Sequence, residues 1–402
     1  MTALRARLDR LTGSPPPAFW WLWAGAFVSA LATFVLPFLT LFLRSRGFGV
    51  EAMGRMGALY GVGVLLASPG AGALADALGR RPTMVSALAC AALATAVLAA
   101  AVRPAAIAGA ILLVGVSSAA YRPAAMALIA DVVLPEGRTR AYGMLRWGNN
   151  LGLAVSSVLG GALASLGFGR LFLVDAATTA AFAVVVALRV PETRPTAPPA
   201  PGPRGRLLSR EAPFLLAFLS LQLLFVLPLW QFQVTLPLAM AGEGHGPAIF
   251  GRVLAVNGVL ITLLQPWIAA RSAGRDPARL MAAGALLVGA GYGAYAVCHG
   301  ALAFGAATAV WSLGEIVFMP VASAAVAALS PTALRGTYQG AWAFAFGLGM
   351  AVSPVLGSVC MQRLGQRALW SSCLACGVLA AAGLLLLGPG MRRKIAARAR
   401  AV

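Results

Sequence analysis

Charged residues are scarce in this sequence. Asp, Glu, Lys and Arg together make up 10% of the 402 residues, and only 11 residues are acidic. An average soluble domain has about 25% charged residues. Hydrophobic residues account for 60% of the chain, and the mean hydropathy is +0.85. This composition excludes an ordinary soluble domain and indicates a membrane protein.

Residues that hold metals or form disulfides are also few, with two histidines and five cysteines. Cys373 and Cys376 form a C-x-x-C pair, but it lies in an apolar stretch without a second ligand pair. The sequence has no phosphate-binding loop. His245 and His299 fall in predicted loops, and neither stands beside a nucleophile. We therefore expect no metal, no cofactor, no ATP-driven step and no enzymatic activity.

What the sequence does have is long apolar stretches. A bilayer core about 30 Å thick needs about 20 apolar residues per helix, because a helix satisfies its own backbone polar groups. Ten stretches contain no charge and two contain a single acid. We predict an all-α membrane protein with twelve transmembrane helices, at residues 18–43, 56–75, 83–102, 104–121, 147–169, 171–188, 212–242, 253–270, 280–298, 300–334, 336–362 and 368–391.

Two similar phrases indicate an internal duplication. GLAVSSVLGG at 152–161 and GMAVSPVLGS at 349–358 are identical at seven of ten positions, with an offset of 197. The same offset aligns Pro123 with Pro320 and Arg170 with Arg367. A fixed period of about half the chain is the mark of a repeated structural unit. We predict two homologous halves that form two pseudo-symmetric six-helix bundles.

One polar segment, RVPETRPTAPPAPGPRGRLLSRE at 189–211, separates six predicted spans from the other six. Its Pro and Arg content is typical of a solvated linker. We therefore predict an N-terminal bundle over residues 1–188, a cytoplasmic linker over 189–211, and a C-terminal bundle over 212–402 that ends in a short basic tail.

The basic residues predict the orientation in the membrane. With the N-terminus in the cytoplasm, the inside segments hold 21 Lys and Arg residues and the outside segments hold 8. Positive charge accumulates in cytoplasmic loops, so both termini are expected there, in a multi-pass protein of the plasma membrane. The net charge of +20 is spread over separate loops. This distribution argues against nucleic-acid binding and favours contact with anionic lipid.

Small residues recur at every fourth position in both repeated phrases. In lipid, small residues on one helix face permit close backbone approach. Generic close packing would explain each stripe alone, but the presence of both favours a contact between the halves. The residues at this spacing are Gly148, Gly152, Ser156 and Gly160 in the first half and Ala345, Gly349, Ser353 and Gly357 in the second, and Pro354 is assigned to the same packing.

The loop GALADALGRRP at 72–82 carries a resemblance to a known family. It resembles the signature G-x-L-x-D-x-x-G-R-R of the major facilitator superfamily. The twelve spans, the central linker and the duplication agree with that family over essentially the whole chain. Wider segments, YRPAAMALIADVVLPEGRTRAYG and GEIVFMPVASAAVAALSPTALRGTYQG, look like its drug:proton antiporter branch. The first repeated phrase resembles a fifth-helix motif associated with exporters, but Ser156 and Ser157 replace its central Gly-Pro.

The signature loop predicts a conformational lock. Two glycines permit a tight turn, while Asp76 and Arg80 can form a breakable ion pair. In the family a second acid at the end of the fourth helix joins this pair, and Asp131 stands at that position. The second half has only a degenerate copy, RSAGRDP at 271–277. The predicted lock comprises Gly72, Asp76, Gly79, Arg80, Arg81 and Asp131.

Ionisable residues within predicted spans or next to their ends are candidates for proton coupling, because a charge at mid-bilayer costs about 2.5–3.5 kcal/mol. Glu315 lies about 21 Å into the tenth span at about 1.5 Å per residue. In the resembled family the first, fourth, seventh and tenth helices line a central cavity, which would receive Glu315 and Arg122. Alternatives are a buried acid held by hydrogen bonds, and an arginine that reaches the interface or the lock. Asp175 is expected in an interfacial position near the outer end of the sixth span.

Polar and aromatic residues within spans are candidates for a substrate cavity. Gln222, Trp230, Gln231 and Gln233 surround two prolines in the seventh span. Ordinary helix packing and structural hydrogen bonds are the alternative for each candidate. The remaining candidates are Tyr121, Arg146, Asn149, Asn150 and Trp311.

These features predict a secondary active transporter that moves a small amphipathic organic solute by alternating access, as proton-coupled efflux. We expect the lipid bilayer, a small-molecule substrate and protons as its partners, and a monomer as the functional unit. The alternatives are an importer or facilitator of a small metabolite, and a non-transporting membrane sensor or a polytopic membrane enzyme.

Overall fold

A computed structural model of the chain describes residues 15–194, 212–272, 274–331 and 334–399. Within these ranges the regular structure is helical and contains no strand. The prediction of an all-helical protein is therefore confirmed for the described residues. Residues 195–211, which make up most of the predicted linker, lie outside them.

The described residues of the first half form seven helices. Proline begins several of them, since the first turn of a helix needs no N–H donor there. The helices are α1 (Pro17–Leu31), α2 (Val35–Ser45), α3 (Val50–Leu78), α4 (Arg80–Ala100), α5 (Pro104–Val132), α6 (Pro135–Ser165) and α7 (Phe168–Arg189).

The second half repeats this order. Its helices are α8 (Ala212–Leu229), continued by the 3-10 turn Trp230–Phe232, then α9 (Thr235–Gly242), α10 (Pro247–Ser272), α11 (Pro277–Ala294), α12 (Gly300–Leu329), α13 (Arg335–Leu364) and α14 (Gln366–Ala399). The first helix of each half is interrupted. The two interruptions are at equivalent places, since the offset of 197 aligns Thr33 with Trp230. The repeat seen in the sequence is thus a repeat of helical structure.

Ten helical segments of the described chain are long and apolar enough to cross a membrane. The segment Pro17–Ser45, which joins α1 and α2, counts as one of them. Helices α6 and α11 are not among the ten. Glycines and polar residues such as Asn149 and Asn150 make α6 less apolar than its neighbours. The count of twelve spans stays a prediction.

The helices pack as two compact units. The first contains Met1–Leu39 and Leu59–Pro199, and the second contains Thr40–Ala58 and Ala200–Val402. Buried Phe19, Leu22, Met84, Leu128 and Phe182 contribute to the apolar core of the first unit.

The core of the second unit is rich in aromatic rings. Phe225 and Phe318 stack with their ring centroids 3.6 Å apart. The second unit also includes the end of α2 and the start of α3. There Thr40 Oγ1 donates to the carbonyl oxygen of Gln233 over 2.7 Å, and Arg363 Nε lies 3.3 Å from a carboxylate oxygen of Glu51.

Candidate functional site

A cavity of about 320 Å³ lies among the helices of the first unit. Helices α1 to α7 all contribute to its wall. Its size is at the lower end of the range of about 300–1,000 Å³ found for ligand pockets. Five residues that the sequence had singled out line this cavity together: Tyr121, Arg122, Asn149, Asn150 and Asp175.

Helix α5 supplies the most polar part of the wall, with Ser117, Ser118, Tyr121 and Arg122. Spacings of three and four residues place them on one side of a helix. Tyr60 of α3 donates its hydroxyl to Ser118 Oγ over 3.1 Å. Ser117 is 3% exposed, and its hydroxyl has no hydrogen-bond partner among the described residues. A buried polar group without a partner costs about 1–3 kcal/mol, so Ser117 is suited to a ligand.

Arg122 carries a positive charge at this cavity. The ion pairs of the described residues do not include it. The alternative that Arg122 belongs to the lock finds no support, since the carboxylates of the lock contact Arg80 instead, and its role in proton coupling stays a prediction.

Asp175 is buried, with 7% of its surface exposed, and its expected position near the membrane interface stays a prediction. One oxygen, Oδ2, accepts the backbone N–H of Phe34 over 2.8 Å and that of Val35 over 3.3 Å. Its other oxygen lies 3.4 Å from the hydroxyl of Thr179. The first turn of a helix leaves N–H groups unpaired and favours a negative charge. Asp175 therefore holds the N-terminus of α2 where the first span is interrupted.

The predicted lock residues meet at one end of the first unit. Arg80 Nη1 forms an ion pair with Asp76 Oδ1, and Arg80 Nε lies 3.4 Å from Asp131 Oδ2. Gly79 begins α4 with φ +106°, a conformation that favours glycine. Arg81 donates from its guanidinium to the carbonyl oxygen of Ala187. Gly72 is exposed within α3.

Two residues of this cluster were missed by the sequence analysis. Glu192, which follows α7, accepts the backbone N–H of Arg80 over 2.9 Å and that of Arg81 over 3.2 Å. Thr193 donates its hydroxyl to Asp131 Oδ2 over 2.8 Å. The lock thus also contacts the first residues of the predicted linker. The sequence alone does not show this contact, because residues 192 and 80 are far apart in the chain and no local pattern links them.

In the second half, the degenerate copy of the signature also places a carboxylate at the start of a helix, as Glu192 is placed at the start of α4. Asp276 accepts the backbone N–H of Ala278 over 3.0 Å at the start of α11. Its other oxygen lies 2.6 Å from Arg392 Nη1. Helix α11 is the equivalent of α4 under the offset of 197. A carboxylate therefore caps the same helix in both halves, but in the second half it comes from the local sequence.

Glu315 lies on α12 in the second unit. Its Oε2 accepts the side-chain amide of Asn257, on α10, over 2.9 Å. The same amide lies 3.1 Å from the hydroxyl of Ser312. These two neighbours are neutral. Asn257 was not predicted as a site residue, because an asparagine inside an apolar helix has no local feature that identifies its partner.

Two glutamines of the seventh span, Gln231 and Gln233, lie at the interruption between α8 and α9 and form hydrogen bonds there. Gln231 donates to Ser353 Oγ over 2.9 Å and accepts from Thr235 over 2.8 Å. Gln233 is fully buried, and its amide nitrogen lies 3.5 Å from the carbonyl oxygen of Gly57. Gln222 is 1% exposed, and neither of its side-chain polar atoms has a partner among the described residues.

Three other candidates lie away from the cavity of the first unit. Trp230 packs edge-on against Phe346, with ring centroids 5.8 Å apart. Trp311 is buried in an aromatic cluster and donates its indole N–H to the hydroxyl of Tyr295 over 2.8 Å. Arg146 is exposed on α6 and does not line the cavity.

The small residues of the repeated phrases face the interrupted helix of their own half. A Cβ added at Gly152 would clash with Ala30 of α1, and one added at Gly349 would clash with Val226 of α8. The phrases also supply serine donors to carbonyl oxygens there, from Ser156 to Thr33 and from Ser353 to Leu227. The remaining glycines of the stripes also contact these interrupted segments: Gly148 lies beside Trp23, Gly160 beside Phe38 and Gly357 beside Gln231. Pro354 differs, because it lies beside Gly57 of α3. Their use at a contact between the halves stays a prediction.

Comparison with known proteins agrees with this architecture. The sequence model of the Major Facilitator Superfamily matches residues 22–354. The chain is 24% identical over 364 residues to the MFS-type transporter YqjV of Bacillus subtilis (strain 168), which covers 87% of each protein.

Two solved structures show the same fold. A POT family transporter in complex with 5-aminolevulinic acid superposes with a TM-score of 0.81 at 14% identity, covering 94% of this chain and 97% of that one. The nucleoside transporter NupG, in the form of a point mutant, has a TM-score of 0.74 at 14% identity, covering 94% of this chain and 99% of that one.

Proposed function

The chain belongs to the Major Facilitator Superfamily, and we propose that it exports a small amphipathic organic solute in exchange for protons by alternating access. The family and fold indicate a transporter rather than an enzyme. The substrate, the coupling ion and the direction of transport are the parts that this proposal adds.

The polar cavity of the first unit is the observation that carries the proposal. Arg122, Asn149 and Asp175 line it together, although polar and ionisable residues are costly within a membrane span and mark transport pathways. Its volume of about 320 Å³ suits a small solute. The wall also includes apolar residues such as Leu88 and Phe182, which favours a molecule with both polar and apolar parts.

Glu315 is the proposed proton carrier. Removal of water from around a carboxylate favours its protonated form. The amide of Asn257, which donates to Glu315 over 2.9 Å, can bond to either the charged or the neutral form of that side chain. A change in hydration between the conformations would then load and release a proton, because the two states interact differently with it.

The cluster around Arg80 is the proposed lock. Its ion pairs with Asp76 and Asp131 are breakable contacts at a predicted cytoplasmic seam. We further propose that both termini are cytoplasmic, that the protein resides in the plasma membrane, and that a monomer is sufficient for transport. Import is the second candidate for the direction, because Ser156 and Ser157 replace the Gly-Pro of the exporter-associated motif.

The test uses the purified protein in liposomes that contain a pH-sensitive dye, with a panel of amphipathic cations, amphipathic anions and neutral metabolites. A transported solute should move protons in the opposite direction, and an imposed pH gradient should accumulate that solute. Solute flux that neither moves protons nor responds to the pH gradient would contradict proton coupling.

A further inference from the structure

We infer that the cavity of the first unit binds the anionic group of an amphipathic organic acid, with Arg122 as the charged contact. This inference rests on the proposed function and specifies its substrate class. It goes beyond the general description of a small organic solute, because it assigns a charge to the part of the molecule that enters this cavity.

The charge balance of the cavity is the first argument. Two ionisable residues of opposite sign line it, Arg122 and Asp175. Asp175 already accepts two backbone N–H groups at the N-terminus of α2, and it makes no ion pair with Arg122. The guanidinium is therefore the charge that a ligand can complement, and guanidinium is well matched to a carboxylate.

The donors around Arg122 are the second argument. The hydroxyl of Ser117, five residues earlier on α5, is buried and has no partner among the described residues. Tyr121 and Asn149 add a hydroxyl and an amide to the same wall. An ionised carboxylate accepts several hydrogen bonds and donates none. These groups can all donate to a carboxylate, and the positive charge of Arg122 in the same wall disfavours an ammonium group.

The apolar wall is the third argument. Phe182 stands edge-on to the ring of Tyr121, with centroids 5.6 Å apart. Leu88, Val114 and Leu153 continue this surface. A cavity of about 320 Å³ accommodates one aromatic ring and a short acidic chain. The expected ligand is thus a single-ring or similarly compact organic acid.

Three matched probes test the charge: 3-phenylpropionate, its uncharged amide 3-phenylpropionamide, and the cation 3-phenylpropylammonium. Each is titrated against the full-length protein in detergent while the apparent Tm is measured, since a ligand of the native state raises Tm. We expect the carboxylate to raise Tm at concentrations at least about tenfold lower than the other two probes, because a charge-assisted contact is lost in both.

Variants locate the contact. Arg122→Gln should weaken binding of 3-phenylpropionate about tenfold or more, and Arg122→Lys should be intermediate, because lysine keeps the charge without the planar fork. Ser117→Ala should weaken it several-fold. Arg146→Gln is the matched control, since Arg146 is an arginine of the neighbouring helix α6 that does not line the cavity, and this variant should bind 3-phenylpropionate as the wild type does. If Arg122→Gln does not fold, Arg122→Lys and Ser117→Ala supply the answer.

Three results would overturn the inference: equal or tighter binding of the amide or the ammonium probe, unchanged binding of 3-phenylpropionate by the folded Arg122 variants, or no binding of the carboxylate. A Tm increase with phosphatidylglycerol but not with 3-phenylpropionate would assign Arg122 to a lipid headgroup and would also overturn it. Failure of this inference can be distinguished from failure of the proposed function. Proton-coupled movement of a cationic or neutral solute in liposomes would preserve the transporter and reject only the acid.

Discussion

Ser156 donates its hydroxyl to the carbonyl oxygen of Thr33 over 3.0 Å. At the equivalent place in the second half, Ser353 donates to the carbonyl oxygen of Leu227 over 2.6 Å. Thr33 lies in the interruption between α1 and α2, and Leu227 lies in the last turn of α8 just before the corresponding interruption; carbonyl groups at such a helix end lose their partners within the helix. In lipid such groups need another donor. The repeated phrases thus supply a serine where each helix is broken.

Replacement of either serine should destabilise its half. Ser156→Ala leaves the carbonyl of Thr33 without its hydroxyl donor, at a cost of about 1–3 kcal/mol. Ser353→Ala removes one of two donors to Leu227, which keeps Gln231, and also removes the hydroxyl that accepts from Gln231. Both variants should lower the apparent Tm by several degrees. Ser157→Ala is the matched control. The hydroxyl of Ser157 donates to Leu153, four residues earlier in its own helix, so its loss should have little effect. Equal changes in all three variants would contradict this role.

Neutralisation of the lock should slow transport without preventing insertion. Asp76→Asn removes the charge that faces Arg80, and the rate should fall about tenfold if the pair contributes about 1.4 kcal/mol to one conformation. Transport in liposomes and labelling of cysteines near residue 76 measure the effect. Arg279→Gln is the control, because the pair of Arg279 with Asp276 is highly exposed. Normal turnover with unchanged labelling in Asp76→Asn would refute the lock.

Substitutions of Asp175 test whether this residue caps the start of α2 or carries a proton. Both backbone N–H groups bond to the single oxygen Oδ2, and the amide oxygen of an asparagine can accept both. Asp175→Asn should therefore keep its fold and its pH-driven transport, while Asp175→Ala should lower the apparent Tm by several degrees. Thermal unfolding and transport are measured on the same preparations. A folded Asp175→Asn protein without uphill transport would make Asp175 the proton carrier.

The sequence predicted the features that follow from composition and local pattern. Apolar stretches predicted a helical fold, which is confirmed for the described residues, and the segment 72–82 predicted the superfamily, which is also confirmed. The pairing of Arg80 with Asp76 and Asp131 agrees with the arrangement that the family resemblance implied. The drug:proton antiporter branch stays a prediction.

The sequence did not predict the long-range capping. Glu192 contacts the start of α4, and Asp175 contacts the start of α2. Both contacts depend on how distant helices pack, which periodicity does not report. The break near Thr33 was missed for a related reason: the nearest proline, Pro37, lies within α2, so no local breaker marks the interruption. The partner of Glu315, Asn257, was likewise hidden in an apolar helix.

The orientation in the membrane rests on the bias of 21 basic residues against 8. Single cysteines at Thr196 and Gly246, in a background without the five native cysteines, should react with an impermeant reagent from opposite sides. Gly246 is preferable to Gly244, whose φ of +82° disfavours a side chain. Labelling of both positions from outside intact cells would contradict the predicted topology.

Proton-driven transport by Glu315 is the central claim, and the measurement that tests it most directly compares the wild type with Glu315→Gln in liposomes. Glutamine keeps a partner for Asn257 but cannot titrate. The variant should exchange solute down its gradient at a rate similar to that of the wild type, while its accumulation against a gradient under an imposed pH difference should disappear. Accumulation by Glu315→Gln equal to that of the wild type would contradict the account.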